Sequence, residues 1–483
     1  MKRAMILVML LAFLFSACRA GGGTGTPTAG PDAAGAEPAA RETRYAEDGR
    51  IILTIGAFQT NSALQGENDS AAYTQLQKAV RQFNAQNGEY LAEIRNYGDA
   101  AGADALYALN AEILAGDMPD LLVTCGMPWE SYAKKGLLLD LYAWYDREPF
   151  FAGPLRSMET DGKLYRVSPS VQIVTFYGLA SVLGRAEGYG LEDLYAAWEC
   201  FHTGENAFSP YFSAENAFLL LAGMRLEEWV DRSAAVCRFD SPEFLSLLEF
   251  CQKLPGDARI TQSQAYAQGN LNYEEMCALC VKNRDAMLGY LFLRGEAGSV
   301  LGQCAANLTP LEGEDYVFTG IPGTFPSAAG CVSELPLAVS ARSGNREGAK
   351  QFLDSLWDLR YRQVYENELR SVPLMRSVLE DYIRFYGEYN TRTYTDEEGR
   401  AYSALYIGPN TMPVTDAFLR DFLALIEGAS APVSPESASL SGIDPIIAEE
   451  AAAFFSGSQS AEKTAKNIQS RYSVYLEEQK QAG

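Results

Sequence analysis

The chain has 483 residues, 62 acidic and 39 basic, for a formal net charge of −23. So negative a protein repels phosphate backbones, which argues against a nucleic-acid partner, and a single histidine, His202, removes most His-dependent catalysis. The apolar share of 47% is that of an ordinary globular protein, and the length suffices for two or more domains with sizeable cores.

The chain begins with the basic Met1-Lys2-Arg3 and continues into an uncharged run over residues 4–15, closed by Ser16-Ala17-Cys18. A helix that spans a bilayer needs roughly 20 apolar residues. This run has instead the length of a secretory leader, with small residues where cleavage would fall. Residues 1–17 therefore read as a signal peptide. Phe15-Ser16-Ala17-Cys18 resembles the bacterial lipobox, with Phe15 where leucine is usual, so Cys18 is expected to be lipidated. Residues 19–40 are Gly, Ala, Thr and Pro with hardly any large apolar side chain. Such a segment cannot bury a core, and residues 18–45 read as a flexible, lipid-anchored tether.

Beyond the tether, strands alternate with amphipathic helices. Residues 51–58 are β-branched and apolar, and Tyr73, Leu76, Val80 and Phe83 follow at helical spacing. Residues 90–97 alternate imperfectly as a second strand, and Leu106, Leu109 and Ile113 mark a helix that stops at Gly116-Asp117-Met118-Pro119. Residues 120–124 form a third, short buried strand. This βαβαβ order predicts a doubly wound, mainly parallel sheet whose ligand crevice lies at the carboxyl ends of the strands. Asp240-Ser241-Pro242-Glu243 offers an N-cap, a proline at the first helical position and an acid in the first turn. Phe244, Leu248 and Cys251 then carry the apolar stripe up to Pro255-Gly256. Strands are expected over 286–293 and 335–340. Helices are expected over 345–359, with Ala349, Phe352, Leu353 and Leu356 inward, and around Ala461, Ala465, Ile468, Tyr472 and Leu476. Residues 428–440, rich in Ser, Ala and Pro, read as an exposed linker.

Besides Cys18 there are eight cysteines, Cys125, Cys200, Cys237, Cys251, Cys277, Cys280, Cys304 and Cys331. Their even number in an exported chain leaves disulfides open, with no connectivity to be read from spacing. Cys277-x-x-Cys280 has no second pair at metal-ligand spacing and lies on a stretch that suits a helix facing a core, so packing explains it and no metal is expected. The sequence shows no nucleophile elbow, no phosphate-cradling glycine loop and no metal-ligand cluster. Neither a cofactor nor an enzymatic activity is therefore expected.

Several phrases in this order resemble the extracellular solute-binding proteins of sugar ABC importers, family 1, which includes maltose-binding-type lipoproteins. They are Phe83-Asn84, Ala115-Gly116-Asp117-Met118-Pro119-Asp120, Tyr132-Ala133-Lys134-Lys135-Gly136-Leu137-Leu138-Leu139-Asp140-Leu141 and Asp161-Gly162-Lys163-Leu164-Tyr165, then Phe239-Asp240-Ser241-Pro242-Glu243-Phe244, Gly320-Ile321-Pro322-Gly323 and Gly348-Ala349-Lys350-Gln351-Phe352-Leu353. The resemblance implies a two-lobed α/β fold of the type II periplasmic-binding-protein kind, each lobe a doubly wound, mainly parallel sheet flanked by helices. It implies lobe 1 from residues 46–168 plus 331–370 and lobe 2 from 169–330 plus 371–483, with crossings near Pro169, Cys331 and Val372. It also implies hinge closure over a carbohydrate, a mono- or oligosaccharide, and delivery of that ligand to ABC permease subunits by a monomer on the outer face of the cell membrane. Presentation of ligand to a membrane sensor, and a lipid-anchored carbohydrate-active enzyme, are the competing readings.

A sugar ring has apolar C–H faces and a rim of hydroxyls, so its site needs flat aromatic surfaces beside amides, carboxylates or hydroxyls. Candidates just past strand ends are Phe58 and Gln59, Tyr97, and Trp129. Gln172 near the first crossing joins them. Pro210-Tyr211-Phe212 resembles the aromatic pocket segment of maltose-type binding proteins, and Tyr290 lies on a stretch similar to another of their pocket walls.

Overall fold

The computed structural model describes residues 43–58, 71–98, 103–125, 127–179, 189–193, 196, 214–232, 234–254, 289–292, 316–323, 329–357, 371–381, 391–395, 401–405, 416–433 and 444–482. The chain opens with β1 (Ile51–Ala57), α1 (Ala71–Gln86), β2 (Tyr90–Asn96), α2 (Ala103–Ala115), β3 (Leu121–Val123) and α3 (Trp129–Lys134). The long β4 (Ser170–Leu179) follows, then α4 (Ala214–Met224), α5 (Leu226–Trp229), the hairpin of β5 (Val230–Asp231) and β6 (Val236–Cys237), and α6 (Pro242–Gln252). After β7 (Gly289–Phe292), β8 (Tyr316–Gly320), β9 (Gly330–Ser333) and β10 (Leu337–Val339) come α7 (Arg346–Trp357) and β11 (Val372–Pro373). The chain closes with α8 (Asp416–Gly428), β12 (Ala431–Pro432), α9 (Pro445–Phe455) and α10 (Ala461–Ala482).

The first sheet has the order β10-β3-β1-β2. β1 runs parallel to β2, from Ile51↔Tyr90 to Ala57↔Asn96, and parallel to β3 at Ile55↔Leu121. β10 runs against β3. Strand side chains alternate between faces, and here the alternation feeds two layers. Leu53, Ile55, Leu121, Val123, Leu337 and Val339 pack with Leu76 and Phe83 of α1 and with Phe352 and Leu353 of α7. Leu122 and Ala338 face the other way, toward Leu106, Leu109 and Ile113 of α2 and Trp129 and Tyr132 of α3. The expected βαβαβ unit is present, with helices on both faces. α7 lies close on β2, because a Cβ at Gly348 would come within 2.4 Å of the Tyr90 ring.

A buried carboxylate ties this sheet together at its start. Asp120 immediately precedes β3 and is wholly buried. Its oxygens accept from Thr54 N at 2.8 Å, Thr54 Oγ1 at 2.9 Å and Ser343 Oγ at 2.7 Å. The side chain thus occupies the place beside β1 where the β3 ladder has not yet begun.

The second sheet has the order β8-β4-β9-β12, with β7 and β11 also paired to β4. β4 is antiparallel to β7, β8, β9 and β11, and β9 is parallel to β12. The described strands therefore share one direction except β4, as those of the first sheet do except β10. The sheet is mainly parallel in strand direction, yet most of its ladders are antiparallel because the reversed strand stands among the others. Just before β4, Val167 bridges Leu337 of β10, so the chain runs from the edge of the first sheet into β4 with no helix between Val167 and Ser170. The second core gathers Val174 and Phe176 of β4, Phe218 and Leu221 of α4, Trp229, Phe244 and Leu248, and the α10 residues Ala461, Ala465, Ile468, Tyr472 and Leu476. The α10 stripe is the one its helical spacing predicts.

α6 begins as its sequence dictates. Ser241 caps it, Oγ accepting from Phe244 N at 3.3 Å, with Pro242 at the first helical position. The stretch 428–440 departs from the expected exposed linker: Ala429 is buried and Ala431–Pro432 forms β12 beside β9. Residues 434–443 lie outside the described residues. Cys237, Cys251 and Cys331 are free, buried thiols, and burial pushes the Cys331 thiol up to about 12, so it is inert at neutral pH. Cys18, Cys200, Cys277, Cys280 and Cys304 lie outside the described residues. Among the described residues no helix is long and apolar enough to cross a membrane.

The chain passes between the sheets in three neighbouring extended segments. The first leads into β4, where Val167 N and O bond Leu337 O and N at 2.9 and 2.8 Å. The second joins β9 of the second sheet to β10 of the first, so sheet membership changes over residues 334–336, a little beyond Cys331. The third arrives at Ser371 and β11, residues 358–370 lying outside the described residues, and Leu374 N just past β11 donates to Pro169 O at 3.1 Å.

Candidate functional site

A cavity of about 310 Å³ opens between elements of the two cores. On the first-sheet side its lining residue is Glu130 of α3, the helix that follows β3; on the other side are Glu227, Glu228, Trp229, Val230, Asp231, Arg232 and Arg238, from α5 and the β5–β6 hairpin. Both walls are anchored in core. Trp129, beside Glu130, is buried against α2. Trp229 is buried in the second core, its ring edge-on to Phe244 with centroids 5.1 Å apart. Arg225 holds α5 in place, donating to Ile321 O at 3.2 Å and pairing with Glu228 at 2.5 Å. Gly323 leaves the room that the Arg225 guanidinium fills, since a Cβ there would lie 1.9 Å from it and Arg225 would have to move.

Behind the first wall stands Arg166, a few residues before β4. Its guanidinium lies over the Trp129 ring, 4.1 Å from the centroid, a cation–π contact that gains strength when desolvated. Its Nε is buried without a hydrogen-bond partner. Burial lowers the Arg166 pKa, and the carboxylates of Glu130 and Glu227 oppose that shift. Burial likewise raises the Glu130 carboxyl above its usual range, with Arg166 pulling the other way. Glu227 is raised for the same reason and is opposed by Arg232 and then Arg166. Glu227 keeps a solvent-exposed face, so screening moderates the effect there. The half-buried Glu130 feels it more fully. The cavity thus presents carboxylate acceptors on both walls and guanidinium donors on the second, an array that can hydrogen-bond a rim of hydroxyls.

The residues anticipated from sequence fall into separate groups. Phe58 and Tyr97 come together at the carboxyl ends of β1 and β2, ring centroids 5.6 Å apart and planes tilted by 34°. Phe58 is buried, and the Tyr97 hydroxyl donates to Glu112, which also pairs with Arg95. Burial, followed by that contact, raises the Tyr97 pKa well above its usual value. Trp129 is buried in core under the Arg166 guanidinium and does not itself line the cavity, whereas its neighbour in sequence, Glu130, does. Gln172 sits on β4, its Nε2 donating to Glu334 Oε1 at 2.7 Å. Tyr290 lies on β7, opposite Phe176 of β4. Gln59, Tyr211 and Phe212 lie outside the described residues. Glu130, Arg166, Glu227, Arg232 and Arg238 were not anticipated. A carboxylate in an acid-rich chain carries no local signature, and only the adjacency of Glu130 to Trp129 pointed toward the site.

No family model and no curated protein matches the sequence. Solved structures do. The chain is similar to an extracellular solute-binding protein family 1 from Alicyclobacillus acidocaldarius, 13% identical over 88% of this chain and 98% of that one, with a TM-score of 0.48. It is similar also to the sugar-binding protein MalE from Xanthomonas citri, 13% identical over 89% and 98%, TM-score 0.49. The cyclic alpha-maltosyl-1,6-maltose binding protein from Arthrobacter globiformis is 13% identical over 89% and 99%, TM-score 0.46. At these TM-scores the likeness decides nothing about function by itself. The two-sheet architecture stands on its own ladders, and the cavity on its own residues.

Proposed function

We propose that this protein captures a carbohydrate, a mono- or oligosaccharide, in the cavity between its two sheets and releases it chemically unchanged. The observation that carries the reading is a polar cavity whose walls come from both cores, with Glu130 on one side and Glu227, Asp231, Arg232 and Arg238 on the other. Neutral polyols are held by such arrays because each hydroxyl donates to a carboxylate and accepts from a guanidinium. A ligand touching both walls favours the conformation in which they face each other, which is the condition for closure by population shift. In this reading the lobes are residues 46–168 plus 331–370 and 169–330 plus 371–483, with the second boundary moved to the 334–336 segment. Lipidated Cys18 holds the protein, as a monomer, on the outer face of the cell membrane, and ABC permease subunits receive the ligand.

A thermal-shift screen of the chain from Arg41 onward against a panel of glycans tests this. A glycan present at 100 times its dissociation constant adds about 2.7 kcal/mol to stability, so at least one should raise the melting temperature and be recovered intact after long incubation. Failure of every glycan in the panel to stabilise the protein would contradict carbohydrate capture, and recovery of a cleaved product would replace it with an enzyme.

A further inference from the structure

The three segments that join the sheets meet at one carboxylate. Glu334 follows β9 directly and starts the second crossing. Its Oε2 accepts from Ser170 Oγ at 2.9 Å, at the start of β4, and from Ser371 Oγ, immediately before β11. Its Oε1 accepts from Gln172 Nε2 at 2.7 Å. Ser170 and Ser371 are buried, and among the described residues Glu334 forms no ion pair. A carboxylate on the second segment, satisfied by neutral donors from the first and the third, is an unusual choice for a site that needs only local packing. Hydrogen bonds to an ionised acceptor are roughly twice as strong as neutral ones, and one acceptor group that gathers three strands couples their positions.

The backbone around it is arranged to the same end. Ser168 Oγ donates to Ser170 O at 2.6 Å and accepts from Leu335 N at 3.1 Å, and Glu334 N donates to Ser170 O at 3.3 Å. We infer that Glu334 is a positioning residue: its carboxylate clasps the three crossings and so fixes the setting of one sheet against the other, and with it the spacing of the cavity walls that carry Glu130 and Glu227. Gln172 then serves the clasp. The inference concerns the setting of the sheets and holds whatever the cavity binds.

Hydrogen exchange and small-angle scattering on the ligand-free protein test it, with Glu334→Ala, Glu334→Gln and the milder Ser371→Ala. The amides of Leu335, Leu337 and Leu374, which bond across the crossings, should exchange about tenfold faster or more in Glu334→Ala. Those of Leu53 and Ile55 in the first core should be unchanged. The radius of gyration should rise, and Glu334→Gln, which keeps one acceptor oxygen, should fall between wild type and Glu334→Ala. Ser371→Ala keeps the carboxylate and should loosen the Leu374 amide most, which secures the test should Glu334→Ala fail to fold. Unchanged exchange at the crossings would overturn the clasp. So would acceleration shared equally by both cores with an unchanged radius of gyration, since that is plain loss of stability.

Discussion

Phe244→Ala should cost the protein about 3–5 kcal/mol, the range for emptying a fully buried aromatic site. Phe244 has no exposed surface and stands at the centre of an aromatic cluster. Its ring lies 5.7 Å from that of Phe218, 5.1 Å from Trp229 and 5.1 Å from Phe239, each nearly edge-on. Truncation removes the ring's transfer free energy, three edge-to-face contacts and the support beneath Trp229, the residue from which the second cavity wall continues. Urea unfolding followed by near-ultraviolet circular dichroism should show the loss as a lower midpoint with little change in slope. A change of less than about 1 kcal/mol would mean that the neighbouring rings close over the hole, contrary to a tightly packed second core.

Asp120→Ala should cost a similar amount for a different reason. The Thr54 amide, the Thr54 hydroxyl and the Ser343 hydroxyl all donate to this carboxylate inside the protein, and Asn345 Nδ2 approaches it at 3.4 Å. A buried donor left without a partner costs about 1–3 kcal/mol. With three buried donors losing their acceptor and the hydroxyls partly able to rotate toward others, the total should reach about 3–5 kcal/mol. Asp120→Asn should lose less, because its remaining oxygen can still accept from both Thr54 donors while the new NH2 group faces the Ser343 hydroxyl, whose oxygen can accept from it. Equilibrium unfolding of the two variants checks the ranking. Equal stability of Asp120→Ala and wild type would show that the carboxylate is not what joins β1 to the segment after β10.

The first sheet was legible because its residues state their roles locally. The β-branched run over β1, the helical spacing of Leu76, Val80 and Phe83, and the stop at Gly116, which adopts a φ of +81°, each fix one element. α6 was legible through Ser241 and Pro242 for the same reason. The second sheet was harder. β4 was not anticipated although Val171, Ile173, Val174 and Phe176 form an apolar run, and no pattern in a single strand says which way its neighbours run. β12 was missed because two residues in a Ser- and Pro-rich stretch leave no periodicity to read. The site divided along the same line. Aromatics past strand ends could be named from topology, but none of them lines the cavity, and Trp129 is buried in core beside the lining residue Glu130. The charged residues that line the cavity could not, because Glu130 and Arg232 become neighbours of one cavity only after two distant segments fold against each other.

The most direct test of carbohydrate capture in this cavity is isothermal titration of the glycan that gives the largest thermal shift, into wild type, Glu130→Gln and Arg232→Gln. The two substitutions alter opposite walls and remove no apolar side chain from either core. A hydrogen bond to a charged group contributes about 1.5–3 kcal/mol, and about 1.4 kcal/mol is a tenfold change in affinity. Each variant should therefore bind at least about tenfold more weakly while still showing a cooperative ligand-free melting transition, with Glu130→Gln melting below wild type because the buried Arg166 loses a charge that opposes its desolvation. Wild-type affinity in both variants would place the ligand elsewhere and contradict the assignment of this cavity.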